Sequence, residues 1–266
     1  MNRDTRFGGV FWHEDGEIPF ILKKAKKSEL DFVEICLDYP WPDTLSEDEI
    51  LATKKTLADM GMDVAFHGPL GGILLFHPRK EMVNAAIKIH KKCLSFAANL
   101  EPLYYNFHIK THPLELRIKG NWNIALQNCL NGLDKLIDIA SGLDIRLVVE
   151  NSTSTGYLVP FEELLPRRLD FNMDIGHWFA GKRGYEELEK LVSIIEGRIV
   201  LLHLHDCKFR DAPVNDHLPL GQGDIDFGQA FRMLKKRGIQ WISLEMHPIE
   251  SKLLKENLSK ARELTS

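Results

Sequence analysis

Cysteine is scarce in this 266-residue chain, and the four present, Cys36, Cys93, Cys129 and Cys207, are widely spaced with no C-x-x-C pair. That spacing excludes a disulfide framework and a thiolate zinc site, and points to buried thiols in a reducing compartment. No apolar run approaches the length of a membrane span. The stretch Met1–Phe7 has no apolar core of the secretory kind, so no signal peptide is expected and a cytoplasmic protein is. Low-complexity linkers and abrupt shifts of composition are missing too, which predicts a single domain over residues 1–266. The net charge is small, −4, and excludes a global pull towards nucleic acid or an anionic membrane, though not a local basic face.

What is present is alternation. Apolar strand-like segments at 7–12, 32–37, 63–67, 103–108, 145–150, 169–174, 199–205 and 240–246 are separated by helical stretches. The helices are predicted at 19–27, 47–60, 79–100, 122–140, 161–165, 184–196, 227–237 and 251–264, with Gly61, Gly142 and Gly238 as stops. Eight strands alternating with helices, in a chain of this size, predict a parallel (β/α)8 TIM barrel. The rival is a doubly wound open sheet, but no Gly-rich dinucleotide fingerprint follows the first strand.

In a barrel the active site lies at the C-terminal strand ends. There the sequence places His67, His108, Glu150, Asp174 with His177, His203 and His205, and Glu245, while the loop after the seventh strand carries Asn215, Asp216 and His217. Any one of these is most simply a solvated histidine or an ion-pair partner. Together, three carboxylates and several imidazoles on one rim are costly unless a cation sits among them. Mixed carboxylate and imidazole ligands suit zinc, manganese, iron or cobalt better than calcium. Glu34, inside the second strand, is a weaker candidate for the barrel mouth. His13, His77, His90, His112 and His247 are weaker still, with His90 expected on a helix surface or in packing. His203 and His205 share a strand face by alternation, so spacing alone does not separate them.

The segments Phe66-His-Gly-Pro69, Asn106-Phe-His108, Glu150-Asn-Ser-Thr153, Asp174-Ile-Gly-His177, His203-Leu-His-Asp206, Asp216-His-Leu-Pro-Leu-Gly-Gln-Gly223 and Leu244-Glu245 resemble the xylose isomerase-like barrels. That superfamily holds sugar and sugar-phosphate isomerases and epimerases, and the endonuclease IV family. The resemblance implies a principal metal on Glu150, Asp174, His203 and Glu245. It makes His177 a substrate contact in epimerases or a zinc ligand in endonuclease IV, and matches His67, His108 and His217 to further zinc ligands of the latter. One departure stands out: Asn215 replaces the aspartate of that family's Asp-Arg-His motif, and Asp216 takes the arginine position. Either Asp216 substitutes through a shift of the loop, or a third zinc is bound poorly.

Two activities follow from the resemblance. The first is a metal-dependent isomerase or epimerase of a small sugar or sugar phosphate, with one zinc or manganese ion and with Glu150 and Glu245 passing a proton through an enediolate. His177, His205, Lys208 and Glu34 would then be candidates for touching substrate, with Lys208 read more simply as a solvated loop lysine. The alternative is a zinc-dependent apurinic/apyrimidinic DNA endonuclease with two or three ions, in which the apolar loop Gly71–Phe76 would serve as a wedge into the duplex; the simpler reading is that Ile73, Leu74, Leu75 and Phe76 cover a small-molecule pocket or pack below it. A nuclease should carry a basic rim, and the strand-end loops hold few lysines or arginines. The cluster Lys23, Lys24, Lys26 and Lys27 falls on a barrel helix. A barrel that keeps its metal without catalysis is the non-enzymatic possibility.

Overall fold

The computed structural model describes residues 5–38, 41–112, 114, 117–153, 156–195, 197–210, 213–234, 238–247 and 249–265. Eight parallel strands close into a barrel: β1 (Arg6–Phe11), β2 (Phe32–Cys36), β3 (Asp63–His67), β4 (Tyr105–His108), β5 (Leu147–Glu150), β6 (Asp170–Asp174), β7 (Ile199–Leu204) and β10 (Trp241–Leu244). Between β7 and β10 runs an antiparallel hairpin of β8 (Asp206–Lys208) and β9 (Asn215–Leu218). The (β/α)8 expectation therefore holds, and the sheet closes where β1 pairs with β10, Gly9 beside Leu244.

The helices form where the sequence signals them. Ser46 caps Glu47–Met60 by accepting from the Glu49 backbone, and Glu49 accepts from Ser46 N–H in return. Gly61 ends that helix in the left-handed region at φ 57°. The helix expected at 79–100 spans Lys80–Ala98, and the one expected at 122–140 runs on through Gly142, so Gly142 closes it from within. The stretch expected at 184–196 is helical over Tyr185–Ile194, with Glu196 outside the described residues. Likewise 227–237 is helical over Phe227–Leu234, its last three residues lying outside the described ones. A short helix, Ile175–Ala180, was not expected. It starts at Asp174, whose carboxylate accepts from His177 N–H. Among the described residues, no helix is long and apolar enough to cross a membrane.

Side chains alternate along each strand, so every second residue enters the barrel. The bottom is filled by Phe32, Ala65, Tyr104, Val148, Leu201 and Trp241. The opposite strand faces, such as Val33, Val64, Phe66, Phe107 and Val149, join the larger core beneath the helices. The next inward residue on five of the eight strands is polar: Glu34, Asn106, Asn172, His203 and Ser243, all fully buried. The barrel is thus an apolar plug topped by a polar layer, and the candidate site rests on that layer.

Candidate metal centre

Continuing the inward rows brings His67, His108, Glu150, Asp174 and Glu245 to one rim. One oxygen or nitrogen from each of Glu150, Asp174, His203 and Glu245 lies within 4.8 Å of the others. Register explains this: Asp174 pairs with His203, Glu150 with Asn172, and His203 with Ser243, two residues before Glu245. His203 Nδ1 stands 2.8 Å from Glu245 Oε2, 3.5 Å from Glu150 Oε1 and 4.0 Å from Asp174 Oδ2. Its other nitrogen, Nε2, is 2.9 Å from Glu34 Oε2. A carboxylate behind a ligating imidazole fixes which nitrogen faces the metal. Glu34 therefore positions His203 from below, also accepting from Tyr104 Oη at 2.7 Å, and the expectation that it reaches the mouth is corrected: it lies one inward layer too deep.

Asn151 locks Asp174 by accepting from its N–H at 2.8 Å and donating to its carbonyl at 2.9 Å. Asn106 donates to Glu150 Oε2. Glu150 Oε1 and Asp174 Oδ2 are buried and make no hydrogen bond among the described residues. Orphaned carboxylate oxygens converging with an imidazole are the donor set a divalent cation requires, so these residues fit a metal.

Two further clusters adjoin. His67, His108 and Glu150 offer atoms within 4.8 Å of one another, and so do His177, His205 and His217. His67 donates from Nδ1 to the Gly68 carbonyl at 2.7 Å and turns Nε2 to Glu150 at 3.2 Å. In the three-histidine cluster, His177 Nδ1, His205 Nε2 and His217 Nε2 are buried without hydrogen bonds among the described residues. Asp216 does not join them. It turns to His217 Nδ1 at 3.2 Å and is partly exposed, so the place foreseen for it is filled by His205. Room for the His205 ring comes from Gly176, where a Cβ would lie 2.1 Å from a ring carbon. His217 sits at φ 56°, a rare backbone state for a non-glycine residue, and its N–H donates to His205 Nδ1 at 2.9 Å.

Charge in this buried cluster is shared unevenly. Burial opposes protonation of His203, but Glu34, Glu150 and Glu245 lift its pKa well above the ordinary value. Burial likewise opposes His67, and the hydrogen bond and charge of Glu150 raise it to about 9. His217 rises against burial to about 10 through Asp216 and Glu245. Desolvation dominates at His108 and His205, which fall to about 3 and about 4. Against desolvation, the imidazoles hold Glu150 and Glu245 well below the usual carboxylate range. Asp174 is pushed well above it, first by desolvation and then, despite His177, by the neighbouring glutamates.

Above the cluster opens a cavity of about 390 Å³, with Trp12, Leu70, Leu74, Lys110, His177 and Glu245 in its wall.

A family model for the xylose isomerase-like TIM barrel matches residues 22–264. The chain belongs to that family. Solved structures that superpose on this xylose isomerase-like barrel include a D-psicose 3-epimerase of Clostridium cellulolyticum H10, with TM-score 0.80, 11% identity and coverage of 98% of this chain and 100% of that one. A D-tagatose 3-epimerase-like protein has TM-score 0.80 at 20% identity, covering 98% of each chain. A 3-keto-D-glucoside 4-epimerase from E. coli has TM-score 0.73 at 15% identity, covering 97% and 99%. At these identities the likeness is one of fold. An uncharacterized protein of Methanocaldococcus jannaschii, MJ1311, is 29% identical over 122 residues, a match spanning 42% of this chain and 40% of that protein's length.

Against this frame of a xylose isomerase-like barrel, the residues foreseen from sequence mostly meet. Lys208 does not: it is exposed on the hairpin and outside the cavity wall. The apolar loop takes the simpler of its two readings, not the wedge: Leu74 lines the cavity, Ile73, Leu75 and Phe76 are buried, and Phe76 packs on Trp122 with ring centroids 4.9 Å apart. Sequence reasoning missed Trp12, one residue past β1, and Lys110, two past His108. Alternation along the strand could have found both. His247 also approaches the site, its ring centroid 5.5 Å from that of Trp12.

Proposed function

We propose that this barrel is a divalent-metal-dependent isomerase or epimerase of a small sugar or sugar phosphate. One observation carries the proposal: the carboxylates of Glu150 and Glu245, from strands separated by β6 and β7, meet Asp174 and His203 with one ligand atom of each within 4.8 Å of the others, and Glu245 opens into a cavity of about 390 Å³. That volume suits a small ligand. Zinc or manganese held by Glu150, Asp174, His203 and Glu245 would supply Lewis acidity towards a ketose carbonyl.

The chain's own groups then move the protons. Glu150 and Glu245 are held ionised, so either can act as base at the carbon beside the carbonyl, leaving an enediolate. The other returns a proton to the opposite face or to the neighbouring carbon. It must first gain one, and His217 Nε2, 3.8 Å from Glu245 Oε1 on a ring whose pKa is about 10, is placed to supply it. His177 and His205 sit where they can orient substrate oxygens or hold another ion.

A second reading, a zinc-dependent phosphodiester hydrolase cleaving DNA at abasic sites, is favoured by the sharing of Glu150 between two metal-capable clusters with a three-histidine cluster alongside. Against it, Lys110 is, among the described residues, the single lysine or arginine in the cavity wall, where a DNA-binding face needs several. The test is metal analysis of the purified protein, with assays on ketoses, ketose phosphates and an abasic-site duplex. One bound ion with sugar turnover supports the isomerase. Two or three zinc ions with strand cleavage support the hydrolase.

A further inference from the structure

Lys110 follows His108 by two residues and shares its inward parity. It lines the cavity and is partly buried, yet it forms no ion pair or hydrogen bond through its side chain among the described residues. Glu150, Asp38 and Glu245 attract its charge without touching it. The adjacent Thr111 also lines the cavity, and its Oγ1 is buried with no hydrogen-bond partner. A lysine withdrawn from water without a partner is costly, and a neighbouring orphaned hydroxyl adds to that cost. Both costs are relieved by one group: an anion with several acceptor oxygens. The carboxylates below supply no such group to Lys110, because Glu150, Asp38 and Glu245 act on it only at a distance and none forms an ion pair with it among the described residues. An anionic substrate entering above three acidic residues needs a counter-charge, and Lys110 is the lysine that faces it.

We infer that Lys110, with Thr111, binds an anionic substituent of the substrate, a phosphate ester or a carboxylate, so that the substrate class is a ketose phosphate or a keto sugar acid and not a neutral sugar. The inference rests on the sugar-converting function proposed above. Lys110 is thereby a specificity-determining residue, with no part in moving the proton.

The test compares the metal-loaded wild type with Lys110→Met and Lys110→Arg. Substrates are a ketose phosphate, the corresponding neutral ketose and a keto sugar acid, and the calorimetric binding of inorganic phosphate is measured in parallel. The expected result is a fall of about 10- to 100-fold in the ratio of kcat/KM for the anionic over the neutral substrate in Lys110→Met, carried by KM. Lys110→Arg should restore most of it, and phosphate should bind Lys110→Met more weakly. Whichever anionic substrate loses its preference identifies phosphate or carboxylate. Equal effects on neutral and anionic sugars, or a wild type that prefers the neutral ketose, would overturn the inference. Weakened phosphate binding in Lys110→Met with no sugar turned over by any form would leave the anion site standing and remove the sugar-converting function. Sugar turnover with unchanged selectivity and unchanged phosphate binding would do the reverse.

Discussion

The rings of His205 and His217 lie face to face, 4.2 Å between centroids and 7° between planes. They are not equivalent. His205 Nδ1 accepts from His217 N–H, which leaves its ring proton on Nε2, 3.2 Å from Asp174 Oδ1. Burial holds His205 neutral, its pKa lowered to about 4, while His217 is lifted to about 10. One ring lies neutral beside Asp174, and the other carries a proton beside Glu245. His205→Asn removes the imidazole beside Asp174 and the stacking surface together. It should lower kcat by about 10- to 100-fold, the usual range for groups behind a metal ligand. The ion on Glu150, Asp174, His203 and Glu245 should remain, as metal analysis of the variant would show.

Glu150→Gln and Glu245→Gln keep the shape of each side chain and remove the base. Each should cost at least about 10²- to 10⁴-fold in turnover, the span of a lost general acid–base group. Far-ultraviolet circular dichroism should be unchanged, because the barrel core lies below these residues. A variant that unfolds would show that the loss is structural, and one that keeps wild-type turnover would remove that glutamate from the mechanism.

Protons and a cation compete for the same lone pairs at this site. Its neighbouring glutamates raise the pKa of His203 well above its ordinary value, and His67 is raised to about 9, so both imidazoles hold protons near neutral pH. Binding a metal at the four-residue cluster must displace the proton from His203. The sign follows: affinity for metal weakens as pH falls and strengthens as pH rises. Calorimetric titrations of zinc or manganese in buffers of different ionisation enthalpy should show release of roughly one proton per ion at pH 7. Uptake of protons, or none exchanged, would contradict these assignments.

His90 lies on the helix Lys80–Ala98 and is buried, its Nδ1 joined to the Tyr105 hydroxyl by a 2.9 Å hydrogen bond. Of the two places expected for it, surface or packing, it takes the second. Desolvation lowers its pKa from 6.5 to about 4. The unfolded chain therefore binds the proton more readily than the fold does. Stability is fully present above pH 6.5 and is lost as pH falls towards 4, by up to about 3 kcal/mol from this residue. Denaturant unfolding of the wild type and of His90→Gln should show a shallower pH dependence for the variant in that window. Equal slopes would contradict the burial argument.

How much of this was legible in the sequence depends on depth. Alternation gave the face of each strand residue, so His67, His108, Glu150 and Asp174 were readable at the rim, and Asp63–His67 was bounded correctly. Alternation does not give height along the barrel axis. Glu34 has the right parity but stands a layer lower, under His203. Leu103 and Tyr104 extend an apolar run past the end of the hydrogen-bonded ladder, because Tyr104 fills the barrel bottom. The partnership of His205 and His217 depends on a hairpin and on the space at Gly176, three-dimensional features that no local spacing reports. Lys110 was within reach of the alternation rule but lay beyond the last strand residue, where the rule is not usually carried.

The central claim is that Glu150 and Glu245 exchange a proton on a ketose carbon in a metal-supported site. It is tested most directly by incubating the metal-loaded protein with ketoses and ketose phosphates in deuterated water and following the carbon beside the carbonyl by proton NMR. The expected result is deuterium at that carbon together with the epimer or isomer, both lost in Glu150→Gln and Glu245→Gln. No deuterium incorporation with any sugar, alongside cleavage of an abasic-site duplex, would contradict it.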